Sequence, residues 1–172
     1  MKINEELDSG PVSNIYKIKI DQNQNAEEIS ETLSALAAEK ILDNVNDILT
    51  DKAKFTEQDH SKATYAKKIC KEESQINWND PASKIIGKIN GLYLSPGAFF
   101  SFNDERYKIL KAVIGNGVGK IGEVISNQLE VACKNNQSIK ILEIQRQGKK
   151  PQKISEFMLG SKIKKGSNLL YV

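Results

Sequence analysis

The sequence predicts an α+β chain: a strand with one long amphipathic helix, a polar linker, and a small closed β-barrel introduced by a second helix. Three observations predict it. Apolar residues recur at steps of three and four from Ile29 to Ile48, the period of a helix face. No such period survives in residues 51–75. Beyond Gly97 the pattern changes to short apolar runs broken by Asn, Asp and Gly, as in strands joined by tight turns.

The elements follow in order. Asp8-Ser9-Gly10-Pro11 stands just after Leu7, and an acid followed by Gly-Pro makes a tight turn that presents a carboxylate at a strand end. Val12, Asn14, Tyr16, Ile18 and Ile20 share one face of an alternating run, which predicts a strand over 12–20. After a polar break, Asn25 is placed to cap a helix, with Glu28 in the capping-box position three residues on. Ile29, Leu33, Leu36, Ala37, Ile41, Val45 and Ile48 then form the helix face, to about Thr50. One strand and one helix cannot bury their apolar faces alone, so this pair calls for a larger sheet.

Asp80-Pro81 starts a second helix, the acid at the N-cap and the proline in the first turn. Ile85, Ile86, Ile89 and Leu92 are its buried stripe, and Gly91 with Ser95-Pro96-Gly97 ends it. Strands are predicted at 98–102, 106–113, 122–126, 129–134 and 138–145, the last shifting phase between Ile141 and Leu142. Five short strands in about 50 residues with tight turns predict a closed barrel. A short helix at 155–159 precedes a lysine-rich tail. The domains are 1–52, a linker at 53–75, and 76–172.

Composition is globular and no apolar run approaches the length of a membrane span. Cys70 and Cys133 are far apart with no CxxC spacing, as expected for two reduced thiols in a cytoplasmic protein. His60 is the only histidine, so no metal site is expected. The net charge of +3 hides an asymmetry: residues 1–60 hold 6 Lys/Arg against 13 Asp/Glu, and residues 61–172 hold 19 against 9. The basic part is a docking half for a polyanion, which points to nucleic acid. Only Arg106 and Arg146 are arginines, and lysines suit phosphate contacts better than base reading. Their clusters are Lys67, Lys68 and Lys71 in the linker, Lys149 and Lys150 after the last strand, and Lys162, Lys164 and Lys165 in the tail. "GNGVGK" at 115–120 fails the spacing of a phosphate loop and is followed by Ile121; a flexible hairpin loop is expected there.

In order along the chain, "LDSGP", "ATYAKKICKEESQINW", "PASKIIGKINGLYLSPGAFF", "KILKA", "GEVISNQLEVAC" and "IQRQGKK" before "ISEFMLG" resemble methionyl-tRNA formyltransferase. The resemblance implies a Rossmann-like formyltransferase domain, of which the strand and long helix are a remnant. It further implies an OB-like small β-barrel, after the linker, that helps bind initiator methionyl-tRNA. The family moves a formyl group from 10-formyltetrahydrofolate to the methionyl amine, using an asparagine, a histidine and an aspartate. By motif match the aspartate is Asp8. The asparagine, the histidine and the folate loop belong before it, so the site in this chain is incomplete and no cofactor is expected here. Met1-Lys2-Ile3 matches the stub of an internal strand. His60 follows Asp8, in the polar linker, and is expected to be exposed rather than a replacement. The resemblance implies that the linker and barrel lysines face tRNA. It leaves three readings: an inactive fragment that at most binds tRNA, a stand-alone RNA-binding module, or one half of a split enzyme with a separately encoded N-terminal half. Sugar-nucleotide formyltransferases share the architecture, but the "TYAKKI" to "INW" segment and the basic barrel favour the tRNA branch.

Overall fold

The computed structural model describes residues 1–170. Contacts divide the chain into two units, residues 1–21 with 28–68, and residues 22–27 with 69 onward.

In the first unit, the predicted long helix is present as α1, Ala26–Leu49. No residue of it is buried, and Leu33, Ile41, Val45 and Ile48 of its apolar stripe are all exposed. The predicted strand over 12–20 does not form. A strand is defined by its hydrogen-bonded neighbour, and this segment gains only one bridge, in which Val12 and Thr56 exchange N–H···O bonds of 2.9 Å. The segment touches α1 through polar groups instead. Asn14 donates to the Asn44 side chain, whose own amide donates to the Tyr16 hydroxyl at 3.0 Å and to the Lys40 carbonyl at 2.6 Å.

The second unit holds the core. Helix α2, Ala82–Gly91, buries Ala82, Ile85, Ile86 and Ile89. Its cap differs from expectation: Pro81 occupies the N-cap position, and Asp80 pairs with Lys84 at 2.9 Å. The N–H of Ala82, which the helix itself cannot satisfy, is met from far along the chain by Gln137 Oε1 at 2.9 Å. The strands are β1 Phe99–Phe102, β2 Glu105–Gly115, β3 Glu130–Cys133, β4 Gln137–Arg146 and β5 Gln152–Lys153, followed by α3, Ile154–Gly160. Asn103 and Asp104 take φ of 50° and 60°, the left-handed pair that a two-residue hairpin turn requires.

The ladders between these strands are all antiparallel, in the order β1-β2-β4-β3, with β5 also on β4, and a single parallel bridge joins Gln75 to Phe99 of β1. The closed barrel expected from the sequence is not what forms: no ladder joins β1 to β3 or β5, so the sheet stays open. The predicted strand at 122–126 is reduced to single bridges, Val124 to Val131 and Glu123 to Asn168. Gly122 at φ 79° starts this segment and interrupts the regular pleat that a ladder needs. The phase shift read at Ile141 and Leu142 is a pair of bulges. Ile109 faces Ile144, Lys111 faces Glu143 and Ala112 faces Ile141, so Leu110 and then Leu142 are left over.

One side of the sheet and α2 enclose Trp78, Phe100, Tyr107, Ile109, Ile139, Ile141 and Ile144. Within it Phe100 stacks on Tyr107 at 5.4 Å, while Trp78 and Phe157 meet this pair edge-on at 5.9 and 5.8 Å, the geometries ring quadrupoles favour.

Candidate functional site

Asp8 lies at the head of a turn held from three directions. It has φ 54°, in the left-handed region that Asp tolerates better than most residues. Ser9 Oγ donates to the Glu6 carbonyl at 2.9 Å, and the Lys2 N–H donates to the Pro11 carbonyl at 2.9 Å. Gln58, fifty residues later, turns its amide into the loop and donates to the carbonyls of Asp8 at 2.8 Å and Gly10 at 2.7 Å. A Cβ at Gly10 would collide with the Lys2 carbonyl oxygen, so the glycine is there for close approach. Sequence reasoning missed Gln58, and a lone Gln in a polar stretch carries no signal of its partner.

The Asp8 side chain is exposed on a cleft of about 920 Å³ whose wall includes Glu6, Asp8, Gln58, Asp59, His60 and Tyr65. His60 is exposed, as expected. Asp59 beside it accepts from Ser61 N at 3.1 Å and Ser61 Oγ at 2.6 Å and pairs with Lys62 at 2.9 Å. The Ser61 hydroxyl, then Lys62, hold its carboxyl below the usual range. Ionised carboxylates accept hydrogen bonds and orient protons, but they cannot donate to a developing oxyanion. Asp8 and Asp59 thus serve the cleft as acceptors, beside the side chains of His60, Lys62 and Tyr65.

All eight lysines singled out from the sequence are exposed. Lys67 and Lys68 fall in the first unit; Lys71, Lys149, Lys150, Lys162, Lys164 and Lys165 fall in the second. Lys149 and Lys150 ride the turn between β4 and β5, closed by the Lys149 N–H to the Arg146 carbonyl at 3.0 Å. Lys162 and Lys164 flank Ile163, which is fully buried and anchors the tail. Lys162 also borders a small pocket with Glu105, Tyr107 and Arg146. There Arg146 binds Glu105 at 2.5 and 2.7 Å, and Tyr107 donates to Glu105 at 2.6 Å. Arg146, then Tyr107, hold the Glu105 carboxyl low, while burial and then Glu105 push the Tyr107 phenol up to about 12. Sequence reasoning did not single out Lys108, Lys111, Lys140 and Lys153, which the strand pairings gather on the sheet.

The "GNGVGK" loop, expected to be a flexible hairpin loop, is pinned rather than free. Gly117 N–H donates to Glu130 Oε1 at 2.8 Å and to Ser138 Oγ at 3.0 Å, and Ser138 Oγ donates to Glu130 Oε1 at 2.7 Å. A Cβ at Gly117 would meet the terminal methyl of Ile125 and the Glu130 carboxylate, so a side chain there would have to displace the group that pins the loop. Cys70 is exposed and Cys133 buried, neither joined in a disulfide, and burial pushes the Cys133 thiol up. Among the described residues no cluster of His, Cys, Asp or Glu is placed to hold a metal ion, and no helix is long and apolar enough to cross a membrane.

The chain is similar to known proteins in sequence and in fold. Residues 68–162 match the family described as formyl transferase, C-terminal domain, and the chain belongs to that family. Over all 172 residues it is 65% identical to a protein named methionyl-tRNA formyltransferase from Pelagibacter ubique (strain HTCC1062), of which it covers 56%. It is 34% identical to a protein of the same name from Chelativorans sp. (strain BNC1), over 98% of this chain and 55% of that one. The chain therefore spans little more than half the length of these relatives. Among solved structures, HypX from Aquifex aeolicus in complex with tetrahydrofolic acid aligns with a TM-score of 0.69 at 17% identity, over 91% of this chain and 29% of that one. WlaRD, a sugar 3N-formyl transferase, aligns with a TM-score of 0.62 at 17% identity, over 86% of this chain and 53% of that one. At such identity the likeness is one of fold.

Proposed function

We propose that this chain is the tRNA-holding part of a methionyl-tRNA formyltransferase, acting in translation initiation in the cytoplasm. The reaction served is formyl transfer from 10-formyltetrahydrofolate to the amino group of initiator methionyl-tRNA. The observation that carries this is the 65% identity, along the whole chain, to a protein of that name. On this reading residues 1–52 are the end of a Rossmann-like catalytic domain and residues 76–172 an OB-like module that meets tRNA.

Asp8 is the aspartate of the reaction, and by itself it orients and accepts. Glu6, Asp8 and Asp59 make the cleft acidic, a poor match for a folate donor that carries carboxylates of its own. The donor site is therefore not assigned to these residues, and no catalytic step is routed through it. The exposed lysines at 149, 150, 162, 164 and 165 are suited to phosphates. The test is filter binding of tRNA to the purified chain across a salt series. Binding that weakens steeply with salt, and weakens for initiator and elongator tRNA alike when Lys149 and Lys150 are changed to Glu, is the expected result. No binding at low salt rejects the proposal.

The uncovered stripe of α1 favours one addition. Leu33, Ile41, Val45 and Ile48 stay exposed beside a cleft of about 600 Å³, and an apolar face of that kind marks an interaction surface. We infer that it is covered by the portion of the formyltransferase fold that the relatives possess outside the matched segment, whether on the same polypeptide or a separate one.

A further inference from the structure

We propose that the outward face of the β-sheet is the surface along which the second unit tracks an RNA backbone; this rests on the tRNA reading above and names the part of the unit that does the holding. Strand register carries it. Phe99 pairs with Lys108 and Lys108 with Gln145; Lys111 pairs with Glu143 and Glu143 with Lys153; Val113 pairs with Lys140 and Lys140 with Glu130. Directly paired residues share a face of a sheet. The alternate positions, Tyr107, Ile109, Ala112, Ile139, Ile141 and Ile144, all belong to the core. Lys108, Lys111, Lys140 and Lys153 therefore stand on the side away from it.

Arg106 precedes Tyr107 and joins them by alternation, its guanidinium carbon 3.6 Å from the centre of the Phe99 ring. Its Nε is buried without a hydrogen-bond partner. Lys111 and Lys153 are exposed, and Lys108 and Lys140 are half-buried, as when a long stem lies on the sheet; the Lys108 ammonium also donates to the Leu94 carbonyl at 3.3 Å. Against these five cations the face sets two carboxylates, Glu143 and Glu130. Glu130 is already engaged by Gly117 N–H and Ser138 Oγ.

A positive patch crossing three strands, β2, β4 and β5, about 10 Å wide at the usual strand spacing, meets several phosphates at once. Phosphate contacts position a nucleic acid without reading its sequence. An arginine plane lying on an aromatic ring at one edge is a platform on which an unpaired base can stack. The loop and tail lysines then flank this face rather than constitute it.

The test uses the whole purified chain and unmodified tRNA transcript as the probe. Reversing three face lysines together (K111E, K140E and K153E) is expected to weaken binding at least about tenfold in low salt and to flatten the salt slope by about 2 to 3. Reversing Lys17, Lys52 and Lys54, an equal charge change elsewhere, is expected to weaken it less than about threefold. In the unsubstituted chain, amide NMR shifts on adding a short single-stranded RNA are expected along β2, β4 and β5, a readout that stands even if the triple variant fails to fold. Equal losses from the two triple variants reduce the effect to net charge and overturn the face. Shifts confined to residues 146–151 and 161–167 overturn it too, while leaving the tRNA reading standing. No RNA binding at low salt, with or without binding to phosphatidylserine vesicles instead, brings down both.

Discussion

Single residues do long-range work in this chain. Gln137 starts β4 and caps α2 by accepting the Ala82 N–H at 2.9 Å, a contact across 55 residues that takes over the role expected of Asp80. Replacing Gln137 with Ala leaves that N–H unmet and should cost about 1 kcal/mol, the usual value of a lost N-cap. Urea unfolding of the second unit measures it, and an unchanged midpoint would show the cap to be idle. Glu130 is the pH-sensitive member of the set. The Ser138 hydroxyl above all, with the Gly117 and Asn116 amides and Lys140 adding to it, holds its carboxyl below the ordinary glutamate range despite some burial. A group whose folded pKa lies below its unfolded one stabilises above the unfolded value and loses that contribution as pH falls through the folded one. The stability gap between the native chain and its Glu130→Gln variant should thus be present at neutral pH and shrink in acid. A gap that persists unchanged well into acid would show that the carboxylate charge is not what pins the loop.

At the scale of elements, legibility in the sequence followed local completeness. Helix α1 and helix α2 were readable because apolar spacing and turn residues lie within each segment, and the β1–β2 hairpin because Asn103-Asp104 names its own turn. The strand over 12–20 and the strand over 122–126 were misread, since alternation marks a segment able to pair and does not supply the neighbour. Barrel closure failed for the same reason: it depends on which edges meet, and β5, two residues long, is invisible to any pattern. Gln58 and the sheet lysines were hidden because only tertiary pairing and bulges bring them into place. The asymmetry has a consequence for stability. The segment over 12–20 is tied to α1 by Asn14, Tyr16 and Asn44, and α1 buries nothing, whereas the second unit contains a continuous apolar core. Regions with few buried contacts open at low free energy. Limited proteolysis of the isolated chain should cut first within residues 1–60 and leave a resistant fragment from about residue 70 onward. Equal protection of both regions in a monomer would contradict it.

For the whole molecule the question is what one carboxylate in a pinned turn accomplishes alone. Formyl transfer needs a route for the amine proton and a donor to the carbonyl oxygen as negative charge develops there. Asp8 supplies an acceptor, exposed on a cleft whose neighbouring Glu6 and Asp59 add negative charge of their own. The Gln58 amide beside it is spent on the carbonyls of Asp8 and Gly10. The purified chain should therefore hold tRNA without formylating it. In a single-turnover assay with methionyl-tRNA and 10-formyltetrahydrofolate, formyl-methionyl-tRNA should form no faster than in buffer, at protein concentrations where filter binding shows the tRNA to be captured. Adding a fragment of the Pelagibacter ubique relative that spans the rest of its length should restore turnover if Asp8 is correctly placed, and Asp8→Asn should then abolish it. Turnover by the unaided chain would mean that a donor to the oxyanion resides in this cleft, with His60 and Tyr65 the first residues to replace.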